Sequence, residues 1–240
     1  MPTSMQDWRS TAMEQYKNLG VERLSHYEFL RDPPRVQRID SRFFFSPVDG
    51  IIIGQSRVSP DDDLIETKGT KCTVSELMKP WPIETPCLCI SVFLTFYDVH
   101  IVRCPTGAML SHQYVGPVRT MNLPMLFEEQ SICRKGRVSS QDLRYMATNG
   151  RVLCKFASTN LAYRYYMVLL SDSDVSAIMP FDPRPRAALA QGERCFAVRW
   201  GSQCTLVLPL DPRYRFKPLA KISDHVEAGV DPLVRIERRT

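Results

Sequence analysis

Eighteen prolines are spread through the 240 residues of this chain and limit the length of any helix. Each proline lacks a backbone N–H and constrains the residue before it, so helices end near these positions. From Phe43 onward the sequence consists of short runs rich in aromatic and β-branched residues, bounded by Gly, Pro, Asn and Asp. Such runs are typical of strands joined by turns. They read FFFSPVDGIIIGQSRV, CLCISVFLTFYDVHIV, RYMATNGRVLCKF, AYRYYMVLLS and CFAVRWGSQCTLVLPL.

The N-terminal region has the strongest helical pattern. Between residues 5 and 30 apolar side chains recur about every three to five positions, at Met5, Trp8, Met13, Tyr16, Leu19 and Leu24. This spacing predicts one amphipathic surface helix or two short ones, which end before Pro33 and Pro34. A further short helix is predicted near Val74 to Met78. The sequence therefore predicts an α+β protein, with a β-rich core of mostly antiparallel strands and N-terminal helices.

Length and charge favour one domain without a strongly charged partner. With 44% hydrophobic residues the chain can bury a core, and we expect a single domain over residues 1–240. The net charge of +5 is mild and not gathered into one basic run, so anionic surfaces are favoured only weakly and no nucleic-acid partner is predicted. Three arginines within Arg235–Arg239 indicate a solvated tail or a contact with phosphates or phospholipid headgroups.

The eight cysteines include no C-x-x-C pair, so no zinc site is predicted. Several lie in apolar strings, where a free cysteine behaves as a small buried hydrophobe, and a reducing compartment fits best. The polar N-terminus lacks the apolar stretch of a secretion signal. The longest apolar run, residues 88–97, is shorter than the roughly 18 to 20 residues that cross a bilayer. We therefore expect a cytoplasmic protein, or one bound peripherally to the cytoplasmic face of a membrane.

Two glycine-containing motifs carry side chains that are suited to catalysis. Ser202 follows Gly201 between two strand-like segments, where such a pair is equally compatible with a turn or bulge. Asp49 precedes Gly50 in a Pro-x-Asp-Gly sequence, which is common turn chemistry. Taken singly, neither motif separates a catalytic from a structural role.

An aspartate and a histidine follow the apolar run 88–97. Asp98 and His100 are two residues apart, so on a strand their side chains would face the same way. The carboxylate could then orient the imidazole or raise its pKa for general acid–base catalysis. A structural hydrogen-bonded pair explains the same spacing equally well.

The order of these motifs resembles one enzyme family. Four segments carry the resemblance: EFLRDPPRVQRIDSRFFFSPVDG at 28–50, Lys68-Gly69 followed by Cys72-Thr-Val and Leu77, FLTFYDVHIVRCPTG, and QGERCFAVRWGSQCTLVLP. They are similar, in the same order, to segments of the phosphatidylserine decarboxylases and cover roughly residues 28 to 210. The family pattern ends in Leu-Gly-Ser-Thr, which here reads Trp200, Gly201, Ser202, Gln203.

The resemblance implies a proenzyme that cuts itself between Gly201 and Ser202. A β chain, with an N-terminal helical region at 1–40 and a core at 41–201, would separate from an α chain at 202–240. Ser202 would become a pyruvoyl group, which acts as an electron sink when phosphatidylserine, or a related amino acid, loses carbon dioxide. The resemblance assigns Asp49 to self-processing, and His100, held by Asp98, to proton donation. The resemblance is compatible with peripheral membrane contact and with a homodimer.

The chain departs from the family pattern at one important position. The family has a second histidine three residues after the first, and this chain has Arg103 there. An arginine cannot serve as an ordinary general base. Three interpretations follow: His100, or His112 on a neighbouring strand, supplies the base; Arg103 binds a substrate carboxylate or phosphate; or the chain is an unprocessed binding or regulatory protein. We favour an active enzyme, because Ser202 and the other motif residues remain.

Overall fold

The computed structural model describes residues 1–67, 70–118, 122–138, 143–158, 160–172, 178–199 and 202–239. Lys68, Gly69, Trp200 and Gly201, which contributed to the sequence resemblance, lie outside the described residues.

Short helices occupy the N-terminal region, as predicted. They are α1 (Met5–Ser10), α2 (Ala12–Tyr16) and α3 (Val21–Arg23), followed by a π-helical turn at Leu24–Glu28. The side chain of Ser4 caps α1 by accepting a hydrogen bond from the backbone N–H of Asp7. The predicted helix near Val74 is α4 (Val74–Leu77), which begins with a capping box formed by Thr73 and Glu76.

Two helices were not predicted, α5 (Leu126–Lys135) and α6 (Tyr145–Thr148), and the second replaces part of a run that was predicted as a strand. The sequence of α5 shows only a weak apolar periodicity, and charged residues lie at both of its ends. Its first turn holds Glu128 and Glu129, and Gly136 closes it in the left-handed conformation at φ 63°. These residues are helix start and stop signals, and they were the available sequence indication of α5.

Nine antiparallel strands form the main sheet. They are β1 (Thr3–Ser4), β3 (Gly50–Val58), β6 (Cys87–Leu94), β8 (Ala108–Val115), β9 (Arg151–Ser158), β10 (Tyr163–Ser171), β12 (Arg186–Leu189), β14 (Ser202–Pro209) and β16 (Asp224–Val226). Their spatial order is β1-β16-β3-β6-β14-β10-β9-β8-β12. Strands β6 and β14 therefore lie in the middle of the sheet, paired with each other.

Smaller sheets complete the fold. Their strands are β2 (Phe43–Phe45), β4 (Asp63–Thr67), β5 (Thr70–Thr73), β7 (Ile101–Arg103), β11 (Ile178–Pro180), β13 (Arg194–Val198), β15 (Tyr214–Pro218) and β17 (Pro232–Arg238). Their orders are β11-β13-β7, β15-β17-β2 and the hairpin β4-β5. The predicted α+β class, with a β-rich antiparallel core and N-terminal helices, is confirmed.

Alternate residues of the central strands enter two apolar clusters on opposite faces of the main sheet. On β14, Cys204 and Leu206 pack in one cluster with residues of the small sheets, whereas Val207 packs in the other with the helices. This period of two is the usual consequence of strand geometry. Seven of the eight cysteines are buried. In the described part of the chain, no helix has the length and apolar character needed to cross a membrane.

Candidate active site

Ser202 is the first residue of the central strand β14, and its side chain is buried. Its Cα partners are Leu94, the last residue of β6, and Ser171, the last residue of β10. Ser202 is therefore held between two strands at one end of the sheet. The hydroxyl of Ser171 is buried there and has no hydrogen-bond partner among the described residues.

His100 lies beside this end of the sheet. Its Nε2 is 2.9 Å from the carbonyl oxygen of Thr95, the residue that follows Leu94. Because a carbonyl only accepts, Nε2 carries the proton and Nδ1 bears the lone pair. Nδ1 has no hydrogen-bond partner in the described part of the chain. Burial lowers the pKa of His100, which favours the neutral imidazole that can act as a base. The ring contacts Thr95, and the preceding residue, Leu94, faces Ser202 across the ladder.

Asp98 holds the turn that carries His100. One carboxylate oxygen, Oδ2, accepts hydrogen bonds from the backbone N–H of Thr95 at 2.9 Å and from its hydroxyl at 2.7 Å. The other, Oδ1, is 2.8 Å from Nε2 of His225. The sequence predicted a direct Asp98–His100 pair, and this is corrected: the carboxylate of Asp98 binds Thr95 and His225, and Asp98 reaches His100 through Thr95.

His225 is a site histidine that the sequence did not single out. It lies on β16, 127 residues after Asp98, and its ring stacks on Trp8 with centroids 5.2 Å apart. Burial disfavours the charged imidazolium, but the carboxylate of Asp98 outweighs this cost and raises the pKa of His225. Only the scarcity of histidine, four in the whole chain, could have marked it as a partner for Asp98.

We expect His225→Gln to destabilise the protein by about 3 kcal/mol near pH 6, because it leaves the buried Asp98 without its cation. A raised histidine pKa contributes stability below the unfolded value of about 6.5 and loses it as pH rises through the folded value. The difference from wild type should therefore shrink towards pH 9. Urea unfolding between pH 6 and 9 measures it, with exposed His26→Gln as the control. A difference that is constant with pH would contradict the ion pair.

Asp49 lies at the end of the predicted Pro-x-Asp-Gly turn, next to β3. Gly50 has a φ of 151°, and an added Cβ would collide with the backbone carbonyl of Phe93, so glycine is required there. The Asp49 carboxylate receives two hydrogen bonds of 2.5 Å from the guanidinium of Arg35. It also accepts one of 2.8 Å from the backbone N–H of Ala228. The partner of Asp49 is thus an arginine.

Arg103 lies where the resemblance predicts a second histidine. Its backbone N–H donates to the carbonyl of Pro47, which sets it beside the turn that contains Asp49. Its buried guanidinium donates to the carbonyl of Gly192 at 2.9 Å and to the carboxylate of Asp32 at 2.7 Å. Although burial lowers the pKa of Arg103, an arginine stays charged, so this side chain supplies positive charge and no base.

His112 does not lie on a strand next to the run 88–97, and that expectation was wrong. It is on β8, which pairs with β9 and β12, so β9 and β10 separate it from β14. Its ring meets the edge of Phe196 with centroids 5.4 Å apart. The half-buried position lowers its pKa. His112 is therefore outside the group formed by Ser202, Asp98 and His100.

Glu129 on α5 is a further carboxyl near this turn, and the sequence did not identify it. Its Oε1 accepts hydrogen bonds of 3.2 Å from the backbone N–H of Phe96 and from the thiol of Cys133. Phe96 belongs to the same turn as Thr95 and Asp98. Burial raises the pKa of Glu129 to about 8, so this carboxyl keeps its proton at neutral pH.

Glu129→Gln is expected to stabilise the protein at pH 7 by about 2 to 3 kcal/mol. The unfolded carboxyl releases its proton near pH 4 to 5 and the folded one near pH 8, so wild-type stability falls as pH rises between these values. Glutamine does not titrate and can still accept from Phe96. Denaturant unfolding at pH 5 and pH 7.5 should give a larger gain at the higher pH. The exposed Glu84→Gln is the control, and an equal gain at both pH values would contradict the expectation.

A sequence model of the family described as phosphatidylserine decarboxylase matches residues 25–233. The chain belongs to the phosphatidylserine decarboxylase family. The match covers most of the chain and includes Asp49, Asp98, His100 and Ser202.

Curated relatives named phosphatidylserine decarboxylase proenzyme are similar at low identity. The one from Novosphingobium aromaticivorans is 31% identical over 94 residues, 39% of this chain and 34% of the relative. The one from Erythrobacter litoralis is 25% identical over 75% of this chain and 62% of the relative. The one from Gluconacetobacter diazotrophicus is 23% identical over 87% and 75%. The chain thus spans less than two thirds of the length of the first two decarboxylases. No solved structure gives a significant match.

Proposed function

We propose that this chain is a pyruvoyl-dependent decarboxylase that divides itself between Gly201 and Ser202. Its substrate would be phosphatidylserine, which would become phosphatidylethanolamine, or a related amino acid, which would become its amine. The observation that carries the proposal is the position of Ser202, buried at the start of β14 and opposite the residue that leads into the His100 turn. The division would give a β chain ending at residue 201 and an α chain of 202–240.

The surroundings of Ser202 suit a pyruvoyl group at this position. When present, that group supplies the electron sink for the loss of carbon dioxide. The hydroxyl of Ser171, which has no hydrogen-bond partner in the part of the chain that the structure describes, lies across the ladder and offers a donor to a carbonyl oxygen at residue 202. The ladder bonds on both sides of β14 would keep the new N-terminus in place.

In this proposal His100 carries the proton transfers. Its neutral Nδ1 takes the proton of the Ser202 hydroxyl, which is too weak a nucleophile without a base. The same nitrogen later returns a proton to the α-carbon of the substrate. Asp98 keeps Thr95 and hence Nε2 in place. Arg35 donates to both carboxylate oxygens of Asp49 and fixes its position, which suits the part in self-processing that the resemblance assigns to Asp49.

A non-enzymatic alternative rests on the same arginines. Arg35 binds the carboxylate of Asp49, and Arg103 replaces a histidine, so the family's usual base is missing. A chain of this kind could keep the fold as an unprocessed binding or regulatory protein. His112 and Arg103 remain candidate substrate contacts. A homodimer and peripheral membrane contact also remain part of the proposal.

Denaturing mass spectrometry of the purified wild-type chain tests the proposal. Two fragments that meet at residues 201 and 202, the second beginning with a carbonyl that reacts with hydroxylamine, would support it. A single mass of 27.5 kDa would favour the alternative. Carbon dioxide release from phosphatidylserine vesicles, compared with free amino acids including aromatic ones, then identifies the substrate.

A further inference from the structure

An extended segment, residues 29–37, crosses the candidate active site without forming a helix or strand. We call it the strap. At its start, the carbonyl of Phe29 accepts a 2.7 Å hydrogen bond from the backbone N–H of His100. The Phe29 ring lies flat on the imidazole, with centroids 4.0 Å apart. Arg31 donates to the carbonyl of Tyr97 at 2.6 Å. The strap therefore begins directly on the turn that carries Asp98 and His100.

Beyond this anchor, side chains hold the strap. Asp32 binds Arg103 and Arg194, and Arg35 binds Asp49. Among the described residues, the backbone of 32–36 makes no hydrogen bond with the backbone of other parts of the fold. Its one backbone hydrogen bond is local, from the N–H of Gln37 to the carbonyl of Arg35. Most of this stretch, including Pro33 and Pro34, is exposed on its outer side. Three ion pairs, made by Asp32 and Arg35, thus keep the strap across the site.

Asp32 fills a position that is built for an anion. Arg103 is 2.7 Å from one carboxylate oxygen of Asp32, and Arg194 is 3.1 Å from the other. The guanidinium of Arg103 is buried and fixed by the carbonyl of Gly192, so it keeps its direction without Asp32. Two guanidinium groups that converge on one point bind a carboxylate or phosphate well. The Asp32 carboxylate itself is 40% exposed, so solvent and ligands reach it.

We propose that Arg103 and Arg194 form the binding site for an anionic group of the substrate, and that Asp32 occupies this site as an internal competitor. The strap is then an autoinhibitory cover. A substrate carboxylate or phosphate displaces Asp32, and the strap moves off the site. The identity of the substrate rests on the proposed function, whereas the anion site does not. Because Asp32 competes within the same molecule, the apparent affinity of wild type is reduced by the closed fraction.

Calorimetric titration with glycerophosphoserine, a soluble molecule that has both a phosphate and a serine carboxylate, tests this competition. Asp32→Asn keeps the shape and removes the charge, and it should lower the dissociation constant roughly tenfold. Arg103→Met in the Asp32→Asn background should abolish the gain. The matched control is Asp211→Asn, which breaks an exposed aspartate–arginine pair in another loop. Thermal unfolding of each variant checks that it is folded.

An unchanged dissociation constant in folded Asp32→Asn would overturn the proposal. So would a gain that persists after Arg103→Met. Inorganic phosphate, L-serine and phosphatidylserine vesicles, each titrated separately, identify whether phosphate, carboxylate or the lipid headgroup benefits. Binding needs neither self-division nor decarboxylation. A tenfold gain in a chain that stays at a single mass would therefore support the anion site and still refute the proposed enzyme.

Discussion

Replacing Ser202 by alanine is expected to leave the chain whole, with one mass near 27.5 kDa and no fragment beginning at residue 202. Self-division at this bond needs the serine hydroxyl as nucleophile, and alanine has none. Without division no carbonyl group forms, so carbon dioxide release should fall to background as well. Denaturing mass spectrometry and a carbon dioxide assay on the same preparation measure the two effects together.

Ser158→Ala is the matched control for this variant. Ser158, like Ser202, is a buried strand serine. The hydroxyl of Ser158 has no hydrogen-bond partner among the described residues. It lies at the far end of β9, away from the end of the sheet where Ser202 starts β14. Its replacement should leave division and activity unchanged. Fragments that still meet at residue 202 in Ser202→Ala would rule out the serine as nucleophile.

His100→Gln should lower the rate of decarboxylation by about 10² to 10⁴, the usual range for loss of a general acid–base group. Glutamine can still donate to the carbonyl of Thr95, so the turn keeps its hydrogen bond, but its amide cannot exchange a proton at neutral pH. Self-division should slow in the same variant, since the same nitrogen serves both steps in our proposal. Rates of carbon dioxide release and of fragment appearance separate the two roles.

His112→Gln is the control that compares the two histidines considered as bases. Two strands separate β8 from β14, so this variant should retain the wild-type rate of self-division, a step that involves no substrate. A loss of self-division in His112→Gln, with His100→Gln unaffected, would reverse the assignment. Unchanged self-division in both variants would show that neither histidine is the base for this step.

Local patterns made much of the fold predictable. The run that ends at Leu94 is apolar and β-branched, and it became the fully buried strand β6. The turn before Gly50 follows from its own residues. Helix α5 escaped prediction because its apolar periodicity is weak, and its sequence signals are the acidic residues of its first turn and the glycine that ends it.

Partners that are distant in sequence were not predictable. Asp98 finds His225 only because β16 pairs with β3, which pairs with β6. The same holds for Arg35 and Asp32, whose segment has no regular structure and whose positions depend on side chains from several elements. Sequence spacing predicted a nearby partner for Asp98, and tertiary structure supplied a different one.

The place of Ser202 in the sheet determines whether the two pieces would stay associated after a cut there. The segment from residue 202 onward supplies the middle strand β14, flanked by β6 and β10, and its later strands β16 and β17 pair with β3 and β2. The two pieces are therefore interleaved. A cleaved molecule should run as one species in gel filtration and separate only in denaturant, so native chromatography would not distinguish it from the uncut chain.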